Sequence, residues 1–136
     1  MKILVERPVV RNDRTSEIDV VFEVRSSAGA AAARSSKALN LCLVIDRSAS
    51  MNGDKLEIAK RSCADIHARL KPDDQLTVVV FDHEAQVVIN PQTPKDEVAG
   101  KLAAISSGGN TNLSLGWYLG LLELQTHMTP QHHNRL

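Results

Sequence analysis

The sequence predicts an α/β domain, and three observations support this prediction. Residues 39–45 form an almost unbroken apolar run, as expected of a strand covered on both faces. Residues 75–81 form a second strand rich in β-branched side chains. Between these strands, apolar residues recur at helical spacing and predict a helix. One face of this helix would carry Leu56, Ala59, Cys63, Ile66 and Leu70. The predicted order of strand, helix, strand, strand, helix and helix belongs to the α/β class.

The composition limits the classes of partner. The chain has 136 residues, the size of one ordinary domain, and its 16 basic side chains balance 16 acidic ones. This balance and an aromatic content of 3% argue against nucleic acid and membrane surfaces as partners. No apolar run approaches the roughly 18–20 residues of a membrane span. Glu6 and Arg7 interrupt the apolar start, so it is a poor signal peptide, and we expect a cytoplasmic protein.

The N-terminal part is predicted to be a separate extension. Residues 17–25 alternate between apolar and charged side chains, which indicates a half-buried strand. The preceding residues 2–10 suggest another short strand, in which Pro8 favours an edge position. Residues 26–37 are rich in Ala and Ser and are predicted to form a loop. We therefore divide the chain into a strand extension with its loop, residues 1–37, and a main domain, residues 38–136.

After residue 81 the main domain continues with a hairpin and two helices. Residues 85–90 are predicted to pair antiparallel with the preceding strand, because only "DHE" connects them. Thr93 and Pro94 indicate a helix start, with Thr93 as the N-cap. A leucine-rich helix follows from Asn112 to about residue 127, with a stripe formed by Leu115, Leu119 and Leu122. Gly116 and Gly120 lie one turn apart, which would let this helix lie close to a sheet.

Several side chains are interpreted as structural. Cys42 and Cys63 lie in apolar surroundings and are predicted to be small buried residues of a reducing compartment. Trp117 and Tyr118 are predicted to serve packing. A solvated polar tail is predicted to hold His127, His132 and His133.

Oxygen-bearing side chains alternate where the first apolar strand ends. Asp46, Ser48 and Ser50 follow the pattern D-x-S-x-S at the carboxyl end of a predicted parallel strand, where ligands collect in open α/β sheets. A carboxylate with two hydroxyls suits Mg²⁺ or Ca²⁺ better than zinc or copper. The alternative interpretation is that Ser50 or Asn52 caps the next helix while Asp46 is a solvated strand end.

A second polar segment, "SGGNTNLSLG" at residues 107–116, leads into the leucine-rich helix. Gly108 and Gly109 are free to take positive φ, and such a turn can hold an anion on its backbone N–H groups. The simpler interpretation is a helix break in which Thr111 or Asn110 is the N-cap.

Taken together, the two segments resemble the von Willebrand factor A family. The resemblance covers about residues 39–136 and includes "LVIDRSASM", "LKPDDQLTVVVFD" and "GGNTNLSLG". It implies a Rossmann-like three-layer sheet wrapped by helices and a metal-ion-dependent adhesion site. The resemblance further implies Mg²⁺, or alternatively Ca²⁺ or Mn²⁺, with ligands at Asp46, Ser48, Ser50 and Thr111. Asp82, at the end of the neighbouring strand, would support these ligands without touching the metal, or would be a structural turn residue.

The sequence departs from the family at its end. The family's last metal-site residue is an aspartate after the next parallel strand, and this chain ends at residues 134–136, where that strand should begin. We therefore expect an incomplete sheet that lacks the C-terminal strand–helix units, and a metal site that is weak or empty. We also expect the strand at 39–45 to have an open edge, which predicts a homodimer.

These observations predict a non-enzymatic module that binds a partner protein. A metal with one carboxylate ligand keeps exchangeable positions and would accept an exposed Glu or Asp of the partner. One alternative is a scaffold or homodimer that associates through strand edges while its metal site is empty. A further alternative is an Mg²⁺-dependent phosphoryl-transfer enzyme with Asp46 as acceptor. No nucleophile–base pair in the sequence supports catalysis.

Overall fold

The computed structural model describes residues 2–5, 20–23 and 37–136 of a chain that forms two compact units, Met1–Ser35 and Ser36–Leu136. In the first unit, strand β1 (Lys2–Val5) pairs antiparallel with β2 (Val20–Glu23). Both strands predicted at the N-terminus are therefore present, with shorter bounds. Pro8 and the loop predicted over most of residues 26–37 lie outside the described residues.

The second unit contains a four-stranded sheet in the order β5-β4-β3-β6. Its strands are β3 (Ala38–Asp46), β4 (Gln75–Phe81), β5 (Ala85–Ile89) and β6 (His132–Arg135). β3 is parallel to both β4 and β6, whereas β4 and β5 form an antiparallel hairpin. The apolar strands and the hairpin predicted from the sequence are confirmed.

Three helices and one short 3-10 turn complete this unit. The helices are α1 (Asp54–Arg69), α2 (Lys95–Ala103) and α3 (Leu113–Thr126), and the turn spans Ala49–Met51. α1 and α2 pack together on one face of the sheet, and α3 packs on the other. The α/β, Rossmann-like three-layer fold is thereby confirmed. Among the described residues, no helix is both long enough and apolar enough to cross a membrane.

The hydrophobic core lies between the sheet and the helix pair α1 and α2. Along β4, alternate side chains point to opposite faces of the sheet. Leu76, Val78 and Val80 pack against α1 and α2, and Phe81 lies against α3. The rest of the buried cluster comprises Ile45, Leu56, Cys63, Ile89, Val98, Leu102 and Ile105. Both cysteines are free and buried, as predicted.

Two glycines set how α3 contacts the sheet. A Cβ atom at Gly116 would lie 2.8 Å from Phe81 Cβ, and one at Gly120 would lie 2.6 Å from Val44 Cγ2. The close approach predicted for this helix is confirmed. Because the glycines occupy the face toward the sheet, the bulky neighbours turn outward, and Trp117 and Tyr118 are 55% and 61% exposed. The prediction that these two residues serve packing is wrong.

The C-terminal residues form a strand, which corrects the prediction of a solvated histidine tail. β6 pairs with the first half of β3, from Ala38↔His132 to Leu41↔Arg135. The sequence does not mark this strand, because the strand lies at the sheet edge and has no apolar run. The neighbouring strand predicted to be missing is therefore present over these four residues. Beyond Leu41, β3 has no β6 partner among the described residues, and the homodimer stays a prediction.

Asn40, a polar residue inside the apolar run of β3, is fully buried. Its side-chain nitrogen lies 3.3 Å and 3.2 Å from the carbonyl oxygens of Leu124 and His127, and 2.9 Å from Asn134 Oδ1. Carbonyl groups in the last turn of a helix lack intrahelical partners. One side chain of β3 therefore ties both the end of α3 and strand β6 to the sheet.

Two side chains fix the loops at the opposite end of the sheet from Asp46. The carboxylate of Asp74 accepts hydrogen bonds from the backbone N–H groups of Leu39 and Lys71, each at 2.7 Å. Burial alone would raise the pKa of Asp74, but these bonds and nearby positive charge bring the pKa below its ordinary value. Thr93 bonds to Asn90 rather than to α2, so the N-cap predicted at Thr93 is wrong.

Candidate metal centre

β3 and β4 are parallel and end at the same edge of the sheet, where Asp46 lies beside Phe81. Asp46 Oδ1 accepts a hydrogen bond of 2.7 Å from the backbone N–H of Ser48. An aspartate that bonds to the backbone two residues later fixes a tight turn. The serine loop, residues 47–53, then passes through the 3-10 turn into α1. Asp46 is therefore a turn-forming residue as well as a strand end.

The two serines of the motif face each other within this loop. Ser48 Oγ lies 3.1 Å from Ser50 Oγ. Ser48 is buried, whereas Ser50 is exposed. Helix α1 begins after Gly53 and has no side-chain cap. The alternative in which Ser50 or Asn52 caps this helix is therefore wrong, and the hydroxyls are not committed to a helix end.

Thr111 lies in the glycine loop, residues 106–112, and backbone hydrogen bonds hold this loop against the serine loop. The N–H of Gly108 donates to the carbonyl of Arg47 at 2.9 Å, and the N–H of Ala49 donates to the carbonyl of Gly109 at 3.1 Å. Gly109 takes a positive φ of 70°, as the glycine pair predicted, whereas Gly108 does not. The two loops that carry the predicted metal ligands thus meet at one edge.

Asn112, and not Thr111 or Asn110, caps α3. Its Oδ1 accepts a hydrogen bond of 3.2 Å from the backbone N–H of Leu115. The sequence-based choice of Thr111 or Asn110 as N-cap is therefore wrong by one or two positions. The exposed side chain of Thr111 is not used to cap the helix.

Asp82 is buried at the point where the strand edge and both loops meet. Its Oδ1 accepts a hydrogen bond of 2.8 Å from the N–H of Glu84 and lies 3.1 Å from His83 Nδ1. Its Oδ2 lies 3.1 Å from Arg47 Nε, in an ion pair that is poorly aligned for a hydrogen bond. The backbone carbonyl of Asp82 accepts a hydrogen bond of 2.6 Å from the N–H of Asn112. Both carboxylate oxygens therefore have partners within the protein.

The environment of Asp82 favours its ionised form. The hydrogen bond from the Glu84 N–H, together with the nearby Arg47 and His83, lowers the pKa of Asp82 below the ordinary value of 3.8, although burial opposes this. A lowered folded-state pKa stabilises the fold at pH values above the unfolded value, and this contribution is lost as the pH falls through the folded value.

We therefore expect acid unfolding of the wild type to include a contribution from Asp82. As the pH falls below about 4, the wild type should lose stability more steeply than Asp82→Asn, because the amide cannot titrate. Urea unfolding followed by circular dichroism between pH 5 and pH 2 measures this difference. Asp65→Asn, at an exposed position of α1, is the control and should keep the wild-type slope. Equal slopes for the wild type and Asp82→Asn would contradict the expectation.

The donor set of the predicted site suits a hard cation. Within the described residues, no group of three or more His, Cys, Asp or Glu side chains is placed to hold a metal ion. The predicted set instead combines one carboxylate, Asp46, with hydroxyl groups, and oxygen donors of this kind fit Mg²⁺ or Ca²⁺. The thiols are unsuited as ligands, because burial, with a contribution from Glu123 at Cys42, raises the pKa of Cys42 and of Cys63 to about 11.

Comparison with known proteins identifies the family. A family model for the von Willebrand factor type A domain matches residues 41–136, more than half of the chain. The chain is 39% identical over 87 residues to the uncharacterized protein sll0103 of Synechocystis, a match that covers 62% of this chain and 21% of that protein. The chain thus spans about a fifth of the length of this curated relative.

Solved structures show the same fold. The von Willebrand factor domain of the type V pili tip protein Mfa5 from Porphyromonas gingivalis superimposes with a TM-score of 0.63 at 19% identity, covering 72% of this chain and 36% of that chain. A von Willebrand factor type A protein from Catenulispora acidiphila gives a TM-score of 0.59 at 18% identity, covering 68% and 24%. The chain belongs to the von Willebrand factor type A domain family.

Proposed function

We propose that this domain binds a partner protein through Mg²⁺ held by Asp46, Ser48, Ser50 and Thr111. In this proposal the metal accepts the carboxylate of an exposed Glu or Asp of the partner. The observation that supports it best is the arrangement of the serine loop, in which Asp46 fixes the turn and the hydroxyls of Ser48 and Ser50 lie 3.1 Å apart. The occurrence of a similar domain in a pilus tip protein is consistent with a role in protein contacts.

The charge of the site explains why an acidic partner is the fitting ligand. Asp46 supplies one negative charge, so bound Mg²⁺ would keep one positive charge in excess. Asp82 is not available to neutralise this charge, because its oxygens already contact Glu84, His83 and Arg47. Mg²⁺ in proteins usually keeps several waters and has few carboxylate ligands. A partner carboxylate could replace one such water and complete the charge balance.

The side chains at this edge favour binding over catalysis. The hydroxyl of Ser48 faces the hydroxyl of Ser50, and His83 contacts Asp82 rather than either serine. A nucleophilic hydroxyl needs an adjacent base that removes its proton. Asp46 bonds to the backbone N–H of Ser48, and among the described residues the Ser48 hydroxyl pairs with Ser50 rather than with a carboxylate or histidine. This arrangement fits a non-enzymatic module.

Asp46→Ala is expected to weaken Mg²⁺ binding at least about tenfold, because it removes the only carboxylate of the proposed donor set. Calorimetric titration with Mg²⁺ measures the affinity, and NMR with Mn²⁺ identifies the amides closest to the metal. We expect the strongest broadening at Ser48, Ser50 and Thr111. Asp65→Ala is the matched control and should bind Mg²⁺ like the wild type.

A blocked glutamate peptide tests the proposed partner chemistry. It should bind in Mg²⁺ more tightly than the corresponding glutamine peptide, and this preference should disappear in EDTA. Equal Mg²⁺ affinity for the wild type and Asp46→Ala would show that the metal site is wrong. A glutamate preference that persists in EDTA would show that the metal does not accept the carboxylate.

A further inference from the structure

The described loops at the carboxyl edge of the sheet are connected through Asp82 and Arg47. The carboxylate of Asp82 lies 3.1 Å from Arg47 Nε on the serine loop, and the backbone carbonyl of Asp82 accepts a hydrogen bond of 2.6 Å from the Asn112 N–H of the glycine loop. The backbone carbonyl of Arg47 accepts a hydrogen bond from the Gly108 N–H, and the backbone N–H of Arg47 donates to the Phe81 carbonyl at 2.8 Å. These two residues therefore join the end of β4 to both loops that carry the proposed ligands.

The ion pair is shielded from water. The side chain of Asp82 is 6% exposed and that of Arg47 is 19% exposed. Pairs between fully exposed charges contribute little to stability, whereas removing one partner from a buried pair leaves an uncompensated charge. The Arg47–Asp82 contact is thus able to hold the loops in one arrangement.

The glycine loop also lies tightly against the β4–β5 turn. A Cβ atom at Gly109 would overlap the ring of His83 and would lie 3.2 Å from Asp82 Cγ. Together with the positive φ at this position, this contact leaves the loop little room to shift toward Asp82. The glycine loop therefore packs directly against the side chains of His83 and Asp82, and Asp82 is a member of the ion pair.

We propose that the Arg47–Asp82 ion pair is the positioning element of the site, holding the glycine loop with Thr111 against the serine loop with Ser48 and Ser50. Neither residue touches the metal in this proposal. The part that concerns metal affinity rests on the proposed function above, whereas the part that concerns loop position does not. Mutating the residues that orient metal ligands without touching the metal typically weakens metal binding by about 10–100-fold.

The test compares Arg47→Gln with Arg47→Lys, which keeps the charge and can pair with Asp82. Lys101→Gln is the matched control, because Lys101 forms an exposed pair with Glu97 on α2 at 3.9 Å. In the metal-free protein, amide hydrogen exchange should become about tenfold faster in Arg47→Gln at three positions. Ala49 and Gly108 bond across the two loops, and Asn112 bonds the glycine loop to Asp82. Arg47→Lys should restore much of the protection, and Lys101→Gln should resemble the wild type.

Mg²⁺ titration gives a second readout in which charge and position predict opposite results. Arg47→Gln removes a positive charge near the cation, so electrostatics alone would strengthen Mg²⁺ binding. If the ion pair positions the ligands, Arg47→Gln should instead weaken Mg²⁺ binding about tenfold. The double variant Arg47→Gln/Asp82→Asn should then bind no more weakly than the weaker of the two single variants.

Unchanged amide exchange in Arg47→Gln would overturn the positioning role. If the wild type binds Mg²⁺, equal or tighter Mg²⁺ binding by Arg47→Gln would overturn it as well. If the wild type binds no Mg²⁺, the proposed metal-dependent function is refuted. Faster amide exchange in Arg47→Gln than in the wild type would then still support the role of the ion pair in loop position. Acceleration of equal size in Lys101→Gln would show that the effect is general destabilisation, which also overturns the proposal.

Discussion

Gly116→Val is expected to lower the free energy of unfolding by about 3 kcal/mol, because the new side chain would overlap Phe81. Phe81 is only 3% exposed, so it has no open space to move into. α3 would have to move away from the sheet, and this would weaken its contacts with β3 and β4. Urea unfolding followed by circular dichroism measures the change.

Gly100→Ala is the matched control for this substitution. Gly100 lies in the interior of α2, and a Cβ atom at this position has no neighbour within 4 Å. Replacing an exposed helical glycine with alanine reduces the entropy of the unfolded chain, so we expect a gain of about 0.5–1 kcal/mol. Stability of Gly116→Val equal to the wild type would show that α3 does not pack through its glycines.

Ile89→Ala is expected to lower the free energy of unfolding by about 3 kcal/mol, because it leaves a cavity in the core between the sheet and α2. Ile89 ends β5, is 2% exposed and belongs to the main buried cluster. The variant should keep a wild-type circular dichroism spectrum in the absence of denaturant and show a lower urea midpoint.

Ile58→Ala removes the same atoms from a surface position and is the control. Ile58 is 61% exposed on α1, and substitutions at such sites usually change stability by less than about 0.5 kcal/mol. A loss for Ile58→Ala as large as that for Ile89→Ala would contradict the assignment of the core.

The sequence predicts the centre of this fold well, for a physical reason. β3 and β4 are covered by helices on both faces, so nearly all of their side chains are apolar and the runs at 39–45 and 75–81 are readily recognised. The helical spacing that begins at Leu56 predicts α1 equally well, because one face of α1 packs against the sheet. The short hairpin connection leaves little choice of strand direction.

The periphery of the fold is less predictable from the sequence, because the position of each residue there depends on a few individual tertiary contacts rather than on a repeating pattern. β6 has the sequence "HHNR" and pairs with β3 through the backbone, so no apolar pattern marks it. Trp117 and Tyr118 look like core residues by type, but two glycines on the opposite face of α3 decide its orientation. Asn40 appears only as an interruption in an apolar run, and its three acceptors come from residues more than eighty positions away.

The candidate site likewise has one part that the sequence predicts and another part that it does not. The spacing of Asp46, Ser48 and Ser50 is local, so the sequence predicts their common turn, and the structure places the two hydroxyls together. Thr111 could be connected with them only through the family resemblance, since its loop is about sixty residues away. The Arg47–Asp82 pair depends on the relative position of two strand ends, which no local pattern contains.

The pairing of β6 with β3 also has a consequence for the order of folding. Asn40 and Asn134, which lie opposite each other in these strands, are 94 positions apart, and closing this segment costs about 2 kcal/mol more entropy than closing a ten-residue loop. The β4–β5 hairpin and α1 form from neighbouring residues and incur much less of this cost. We therefore expect the edge of β3 that receives β6 to be the last part of the described sheet to be covered during folding.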